Sequence, residues 1–135
     1  RLALPSGHRL ARRRSIGLGD IADEPLVGFS RDAELRTTLD RELAAARQLR
    51  HPDVVVDRFR TALSMVAAGI GVMVVPAIVC GSAPQGAKVV DIDNSDLRRT
   101  IGAIRRVDAV PHPLFDALAT RLTAEVSSLS GVVTA

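Results

Sequence analysis

Short runs rich in apolar residues recur along the chain at residues 25–29, 53–57 and 72–76, and the second of them centres on three valines. Between them, residues 31–48 and 59–69 carry leucine and valine at the spacing of an amphipathic helix. Strand, helix, strand, helix and strand joined in this way make two βαβ units. Nearly continuous apolar strands are typical of a parallel sheet that is covered on both faces. The predicted fold class is therefore α/β.

Further elements are predicted on either side of this central pattern. Residues 1–5 indicate the end of a strand, 16–24 a single helical turn, and 87–92 and 100–106 two more strands. A final helix opens at Pro113. Its apolar stripe comprises Leu114, Leu118, Leu122 and Val126. That stripe has no obvious partner in the three-strand unit, so we expect it to pack on material outside this chain.

The length and composition limit the kind of protein. With 135 residues, 47% of them apolar and 24% charged, the chain has the make-up of one globular domain rather than a disordered tail. Cys80 is the only cysteine, which excludes a disulfide framework and fits a reducing cytoplasm. The longest apolar run, 65–80, is too short for a membrane helix, and no signal peptide opens the chain. We therefore expect a soluble, cytoplasmic protein.

Because the chain opens on a strand with no initiator Met, we also expect it to begin partway through something larger.

The basic character is weaker than it first looks. The formal net charge is +3, from 18 basic and 15 acidic residues, and Lys88 is the only lysine. The clusters at 12–14, 98–99 and 105–106 carry no interleaved aromatic residues of the kind that stack on bases. A solvated charged surface is therefore favoured over direct contact with nucleic acid.

The residues offer little for metal or catalytic chemistry. The histidines at 8, 51 and 112 fall in separate predicted loops, so neither a metal nor another cofactor is expected. Ser30 lies at a strand-to-helix turn, 28–32, as the nucleophile of an α/β-hydrolase does, but Asp32 replaces the final glycine of that motif. A triad would also need a later acid and then a later histidine, for which His112 is the candidate. We favour Ser30 as a helix cap and keep a small serine hydrolase as an alternative. Residues 69–74 join a helix to a strand, the reverse of a dinucleotide-binding turn.

What the pattern does favour is a binding edge. In an open parallel sheet, ligands bind beyond the carboxyl ends of the strands, where the amino ends of helices also point. Two such strand ends coincide here, at residues 29–31 and at residues 57–61. They carry two of the three phenylalanines and several arginines, which suits a small carboxylate with an apolar body. Ordinary helix caps with a solvated charged fringe are the competing interpretation.

Three segments give the chain a family resemblance. These are Leu-Pro-Ser-Gly-His-Arg-Leu-Ala at 4–11, Ile-Gly-Leu-Gly-Asp-Ile-Ala-Asp-Glu-Pro-Leu-Val at 16–27, and Ala-Leu-Ser-Met-Val-Ala-Ala-Gly-Ile-Gly-Val-Met-Val-Val-Pro at 62–76. In this order they resemble the effector-binding domain of LysR-type transcriptional regulators. The resemblance runs from about Leu2 to Val126.

That resemblance implies a periplasmic-binding-protein-like fold of type 2, in which a small effector binds between two α/β lobes joined by crossing strands. Residues 1–24 would hold the end of a crossing strand and a connecting loop and short helix. Residues 25–106 would form the second lobe, and residues 107–135 a helix that returns to the first lobe. Most of the first lobe and an upstream helix-turn-helix that reads DNA would lie outside this chain.

The resemblance also assigns roles by position. Ser30 and Thr61 are the candidates for hydrogen bonding to the effector, Arg31 and Arg60 for charge, and Phe29 and Phe59 for apolar contact. The implied partners are a small-molecule effector and further copies of the same protein in a homo-oligomer, with DNA contacted only through the helix-turn-helix and no membrane partner. The domain would sense and transmit without catalysis. A solute-binding protein of a transporter shares the fold and stays an alternative.

Overall fold

The computed structural model describes residues 1–30, 34–45, 47, 50–93, 97–98, 101–102, 104, 106–108, 110 and 112–128. The chain divides into two compact units, Arg1–Arg98 and Arg99–Ala135. The elements are β1 (Leu2–Pro5), the 3₁₀ helix η1 (Arg9–Arg12), β2 (Ser15–Ile16), η2 (Leu18–Ile21), β3 (Val27–Phe29), α1 (Glu34–Ala45), β4 (Val54–Val56), α2 (Phe59–Ala67), β5 (Met73–Val74), η3 (Ala77–Ser82), β6 (Ala87–Ile92) and α3 (Pro113–Ser127).

The strands of the first unit form both parallel and antiparallel pairs. A four-stranded sheet has the order β2–β6–β1–β5, in which β1 is antiparallel to β5 and β6 and β2 is parallel to β6. The strands β3 and β4 form a parallel pair, and a parallel bridge between Leu26 and Val72 links the start of β3 to the start of β5. The α/β class and the parallel relation of β3, β4 and β5 are therefore confirmed, while β1 adds antiparallel pairing.

Alternation along the strands creates two cores. Leu2 and Leu4 of β1 join one buried cluster, which also holds residues of η1, η2 and α1. Ala3 of β1 joins the other cluster, where Leu63 and Val66 of α2 pack against β3 and β5. Successive side chains of a strand point to opposite faces, so both faces of the sheet are covered. This arrangement is why the strands are apolar in almost every position.

Helix α2 ends where the sequence predicts a terminator. Gly69 has φ +83, a left-handed conformation that favours glycine. The backbone N–H of Gly69 donates to the carbonyl of Val66 at 2.9 Å, and that of Ile70 donates to Met65 at 3.1 Å. These bonds satisfy carbonyls left open at the end of the helix. The chain then turns directly into β5.

The prediction of a strand over residues 100–106 is wrong for the residues that the structure describes there. Ile101, Gly102, Ile104 and Arg106 have no strand geometry, and Ile104 is 94% exposed. A strand needs a neighbour that accepts its ladder hydrogen bonds, and no pairing is formed by these four residues. The short strand β2 was not predicted; it is two residues long and pairs with β6.

In the second unit, α3 has clear start signals. Pro113 occupies the first turn, and His112 is the N-cap, with its Nδ1 accepting from the backbone N–H of Leu114 at 3.2 Å. The predicted helix is therefore confirmed. Its leucine stripe lies open, because Leu114, Leu118 and Leu122 are all at least half exposed.

Candidate functional site

The two predicted strand ends lie at one edge of the β3–β4 pair. Val27 pairs with Val54, Gly28 with Val55 and Phe29 with Val56 in parallel register. Because parallel strands run in the same direction, Ser30 after β3 and the start of α2 after β4 follow the same edge. We call this edge the carboxyl rim. It is formed by residues 29–30 and 57–61.

Two aromatic rings join the halves of the carboxyl rim. The rings of Phe29 and Phe59 have centroids 4.7 Å apart and planes at 74°, an edge-to-face pair. Phe29 is buried and Phe59 is half-buried. Such a pair adds about 1 kcal/mol to the burial of the rings. It holds the first residue of α2 against the last residue of β3.

The amino end of α2 carries positive character that no capping side chain and no acidic residue of the first turn offsets. Its N-cap is Arg58, which makes no side-chain capping bond, and the first turn of the helix contains no acidic residue. The first helical bond is donated by Ala62 to the carbonyl of Arg58 at 3.1 Å, so the preceding amides have no acceptor within the helix. Arg58, Arg60 and Thr61 are exposed, and so is Asp57 just before them. The helix end and its two arginines favour an anion.

The structure thus brings together Phe29, Ser30 and the first turn of α2 with Phe59, Arg60 and Thr61. Ser30 is exposed at the end of β3. Arg31 lies outside the described residues, as do residues 32 and 33, so the helix-capping role of Ser30 stays a prediction. Arg58 was not among the predicted rim residues, although its place between Asp57 and Phe59 at a helix start was signal enough.

The opposite edge of the β3–β4 pair is held by a carboxylate. Asp53 accepts through Oδ2 from the backbone N–H of Leu26 at 2.7 Å and from Nη2 of Arg50 at 2.7 Å. Its own backbone N–H donates to the carbonyl of Leu26 at 2.8 Å. The bond from Leu26, followed by the charge of Arg50, lowers the pKa of Asp53. Arg50 also donates through Nη1 to the carbonyl of Ala22 at 2.5 Å.

A second carboxylate holds η1 to the chain before β3. Glu24 accepts through Oε1 from Nη2 of Arg9 at 2.6 Å, and its Oε2 lies 3.2 Å from Nε2 of His8. Burial by itself would raise the pKa of Glu24, but the hydrogen bonds from His8 and Arg9 outweigh it, and the pKa is lowered. Nδ1 of His8 accepts from the backbone N–H of Leu10, which places the ring proton on Nε2, toward Glu24.

Arg36 is a buried cation on α1. Its Nε donates to Oδ1 of Asp40 at 2.6 Å, and its Nη2 lies 3.1 Å from Nδ1 of His51 and 3.4 Å from the carbonyl of Arg50. A buried charge is tolerated when it is paired in this way. Arg36 therefore attaches α1 to the loop before β4. No sequence signal distinguished it from the other arginines of the helix.

Within the described part of the chain, no group of histidine, cysteine, aspartate and glutamate side chains could hold a metal ion. Among the same residues, no helix is long and apolar enough to cross a membrane.

The fold places the chain in a recognisable class. The effector-binding domain of QuiR in complex with shikimate has a TM-score of 0.63 at 21% identity, over 92% of this chain and 60% of that one. The regulatory domain of CcmR from Synechocystis PCC6803, in complex with 2-PG, has a TM-score of 0.70 at 13% identity, over 94% of this chain and 62% of that one. The fold is thus periplasmic-binding-protein-like, of type 2.

The family follows from the sequence comparison. Residues 1–127 match the LysR substrate binding domain, and the chain belongs to that family of transcriptional-regulator domains, which is not an enzyme family. It is 26% identical over 113 residues to the uncharacterized HTH-type transcriptional regulator YbhD of Escherichia coli (strain K12). The match covers 83% of this chain and 36% of YbhD, so the chain spans about a third of that relative.

Proposed function

We propose that this domain senses a small anionic effector, of the carboxylate class, in a cleft between two lobes, and that it thereby controls DNA binding by an upstream helix-turn-helix. The observation that carries the proposal is the carboxyl rim. There an aromatic pair, an exposed hydroxyl and an uncapped, arginine-flanked helix end meet at one edge of the β3–β4 pair. The shikimate complex of QuiR supports a carboxylate ligand for this fold.

Each residue of the rim has a role in this proposal. The backbone amides at the start of α2 and the guanidinium of Arg60 receive the carboxylate, and Arg31 adds charge from the other half of the rim. Ser30 and Thr61 donate hydrogen bonds to further polar atoms of the effector. The exposed part of Phe59, backed by Phe29, supports its apolar body. Arg58 joins them as a second cation at the helix end.

The division into segments is part of the same proposal. Residues 1–24 contain the end of a strand that crosses between lobes, residues 25–106 form the second lobe, and residues 107–135 contain a helix that returns to the first lobe. The exposed leucines of α3 support the last point, since an apolar stripe of this length is stable in water when another surface covers it.

The mechanism is a shift of populations. An effector that binds one lobe arrangement better than another moves the equilibrium toward it by its difference in affinity. In a cytoplasmic homo-oligomer, that change of lobe angle would reposition the attached DNA-binding helices. The domain needs no cofactor and performs no catalysis in this scheme.

The test is a binding screen on the purified protein. Benzoate, shikimate and 2-PG are compared by thermal shift and calorimetry with benzamide, which has the ring of benzoate without its charge. A carboxylate that binds the native state raises the melting temperature, whereas benzamide leaves it unchanged. Equal binding of benzoate and benzamide, or a panel without any shift, would contradict a small carboxylate effector.

Two variants locate the site. Arg60→Met removes the charge at the rim and keeps an apolar stem, so affinity for the bound carboxylate should fall about tenfold, the value of one charge-assisted hydrogen bond. Arg41→Met is the matched control, because Arg41 is also exposed on a helix but lies on α1, paired with Glu42 at 3.2 Å. Affinity that falls equally in both variants would place the site elsewhere.

A further inference from the structure

The short segment 20–24, which we call the strap, is fixed from two sides. On one side is η1, the 3₁₀ helix that follows β1. Arg9 donates through Nη2 to Glu24 at 2.6 Å and to the carbonyl of Asp20 at 3.3 Å. Arg13 donates through Nη1 to Oδ1 of Asp20 at 2.8 Å, and His8 contacts Glu24. Two side chains of the strap are therefore clamped by three residues that follow β1.

On the other side is the loop that leads into β4. Arg50 reaches the carbonyl of Ala22 through Nη1 and Asp53 through Nη2. Asp53 in turn accepts from the backbone N–H of Leu26, at the entrance to β3. One guanidinium thus ties the backbone of the strap to the amino edge of the β3–β4 pair.

The contacts are placed to resist movement. The Glu24 and Arg50 side chains are 15% and 26% exposed, while their partners Arg9 and Asp53 are 62% and 54% exposed, so one member of each ion pair is held against the protein. Two of the acceptors are carbonyls of the strap itself, at Asp20 and Ala22, which fixes the backbone and not only the side chains. The two clamps share no side chain.

We propose that the strap is a coupling device, in which Arg50 is the positioning residue that passes displacement of the β3–β4 pair to η1 and the end of β1. The carboxyl rim lies at the far ends of the same two strands, only three residues from the amino edge. The regulatory meaning of the strap rests on the proposed function, because movement at the rim begins when an effector binds there. Its mechanical coupling does not depend on a ligand.

A double-mutant cycle without ligand tests the coupling. Arg9→Met weakens one clamp by removing the bonds to Glu24 and to the carbonyl of Asp20, and Arg50→Met breaks the other. Urea unfolding of the full chain is followed by far-UV circular dichroism. If the strap acts as one unit, release of either clamp loosens it. Loss of the second clamp then adds little further destabilisation. The unfolding constant of the double variant should then fall short of the product of the two single effects by about threefold or more. If the single-variant effects on the unfolding constant simply multiply in the double variant, the two clamps are independent local contacts and the proposal is overturned.

Controls separate this result from general loss of stability. In the cycle of Arg50→Met with Arg41→Met, the two effects on the unfolding constant should multiply, since Arg41 touches neither clamp. Where a Met variant fails to fold, Arg9→Lys and Arg50→Lys keep the charge but lose the forked geometry and serve for the same cycle. Because no effector is present, an additive cycle would leave the effector site standing, and a flat effector screen would leave the coupling standing.

Discussion

Gly71 lies between α2 and β5, where the chain passes Pro25, two residues before β3. A single methyl group there should be severely destabilising. A Cβ on Gly71 would lie 2.4 Å from the carbonyl oxygen of Pro25, a distance that real Cβ atoms essentially never show. The same oxygen accepts from the backbone N–H of Val72 at 2.8 Å, and Val27 donates to the carbonyl of Val72 at 2.9 Å. The clash is therefore between two backbones that hydrogen bonds hold together.

The cost follows from that geometry. To reach even 3.0 Å the two backbones must separate by about 0.6 Å, which stretches the 2.8 Å bond beyond the usual range of about 2.7–3.2 Å. Overpacking costs about 1–3 kcal/mol, and two weakened hydrogen bonds add about 1 kcal/mol each. Alanine recovers about 0.5–1 kcal/mol by restricting the unfolded chain. The expected net loss is about 2–4 kcal/mol, a large part of the stability of a domain.

Urea unfolding followed by far-UV circular dichroism measures this loss, because the chain has no Trp or Tyr for fluorescence. At an m-value of about 1.5 kcal/mol/M, the midpoint of Gly71→Ala should fall by roughly 2 M. Gly81→Ala is the control, since a Cβ there meets nothing within 4 Å, and Gly28→Ala should lie between them, with its Cβ 2.7 Å from a ring carbon of Pro52. Equal midpoints for Gly71→Ala and Gly81→Ala would refute the reasoning.

Three further predictions use the same unfolding measurement. Leu63→Ala should cost about 2–5 kcal/mol, because Leu63 is 1% exposed in the core beneath α2; a loss below about 1 kcal/mol would contradict that packing. Phe59→Leu and Phe29→Leu should couple by about 1 kcal/mol in a double-mutant cycle, and additivity would mean that the edge-to-face pair contributes nothing. The pKa of Glu24 is lowered from its ordinary 4.5 by folding, so its contribution is present above pH 4.5 and is lost as the pH falls through the lowered value. Glu24→Gln should flatten that acid limb, and an unchanged limb would assign it to other carboxylates.

The local elements were predictable where one signal dominated. The Val-Val-Val run gave β4, the glycine at 69 gave the end of α2, and proline at 113 with the stripe behind it gave α3. These signals act through the backbone of a few neighbouring residues. The two strand ends of the carboxyl rim were predictable for a related reason, because the order of strands and helices fixes which ends of a parallel pair coincide.

Contacts between distant segments were not predictable from the hydrophobic periodicity and turn residues of the sequence. Nothing in the sequence sets Arg50 apart from the other arginines. Its guanidinium nevertheless donates to Ala22, 28 residues earlier in the chain, as well as to Asp53, three residues later. The segment 101–106 shows the converse, since its residues look suited to a strand, while the described ones form none. Whether such residues pair depends on what lies beside them in space.

The sequence by itself determined the α/β class, the succession of β3, α1, β4, α2 and β5, and the edge at which the ends of β3 and β4 coincide. It could do so because hydrophobic periodicity and turn residues act over a few positions. Only the tertiary structure decided that β1 runs antiparallel between β5 and β6, that Phe59 leans on Phe29, and that two clamps fix the strap. Those features depend on hydrogen bonds and packing between residues far apart in the chain, whose pairing no local pattern specifies.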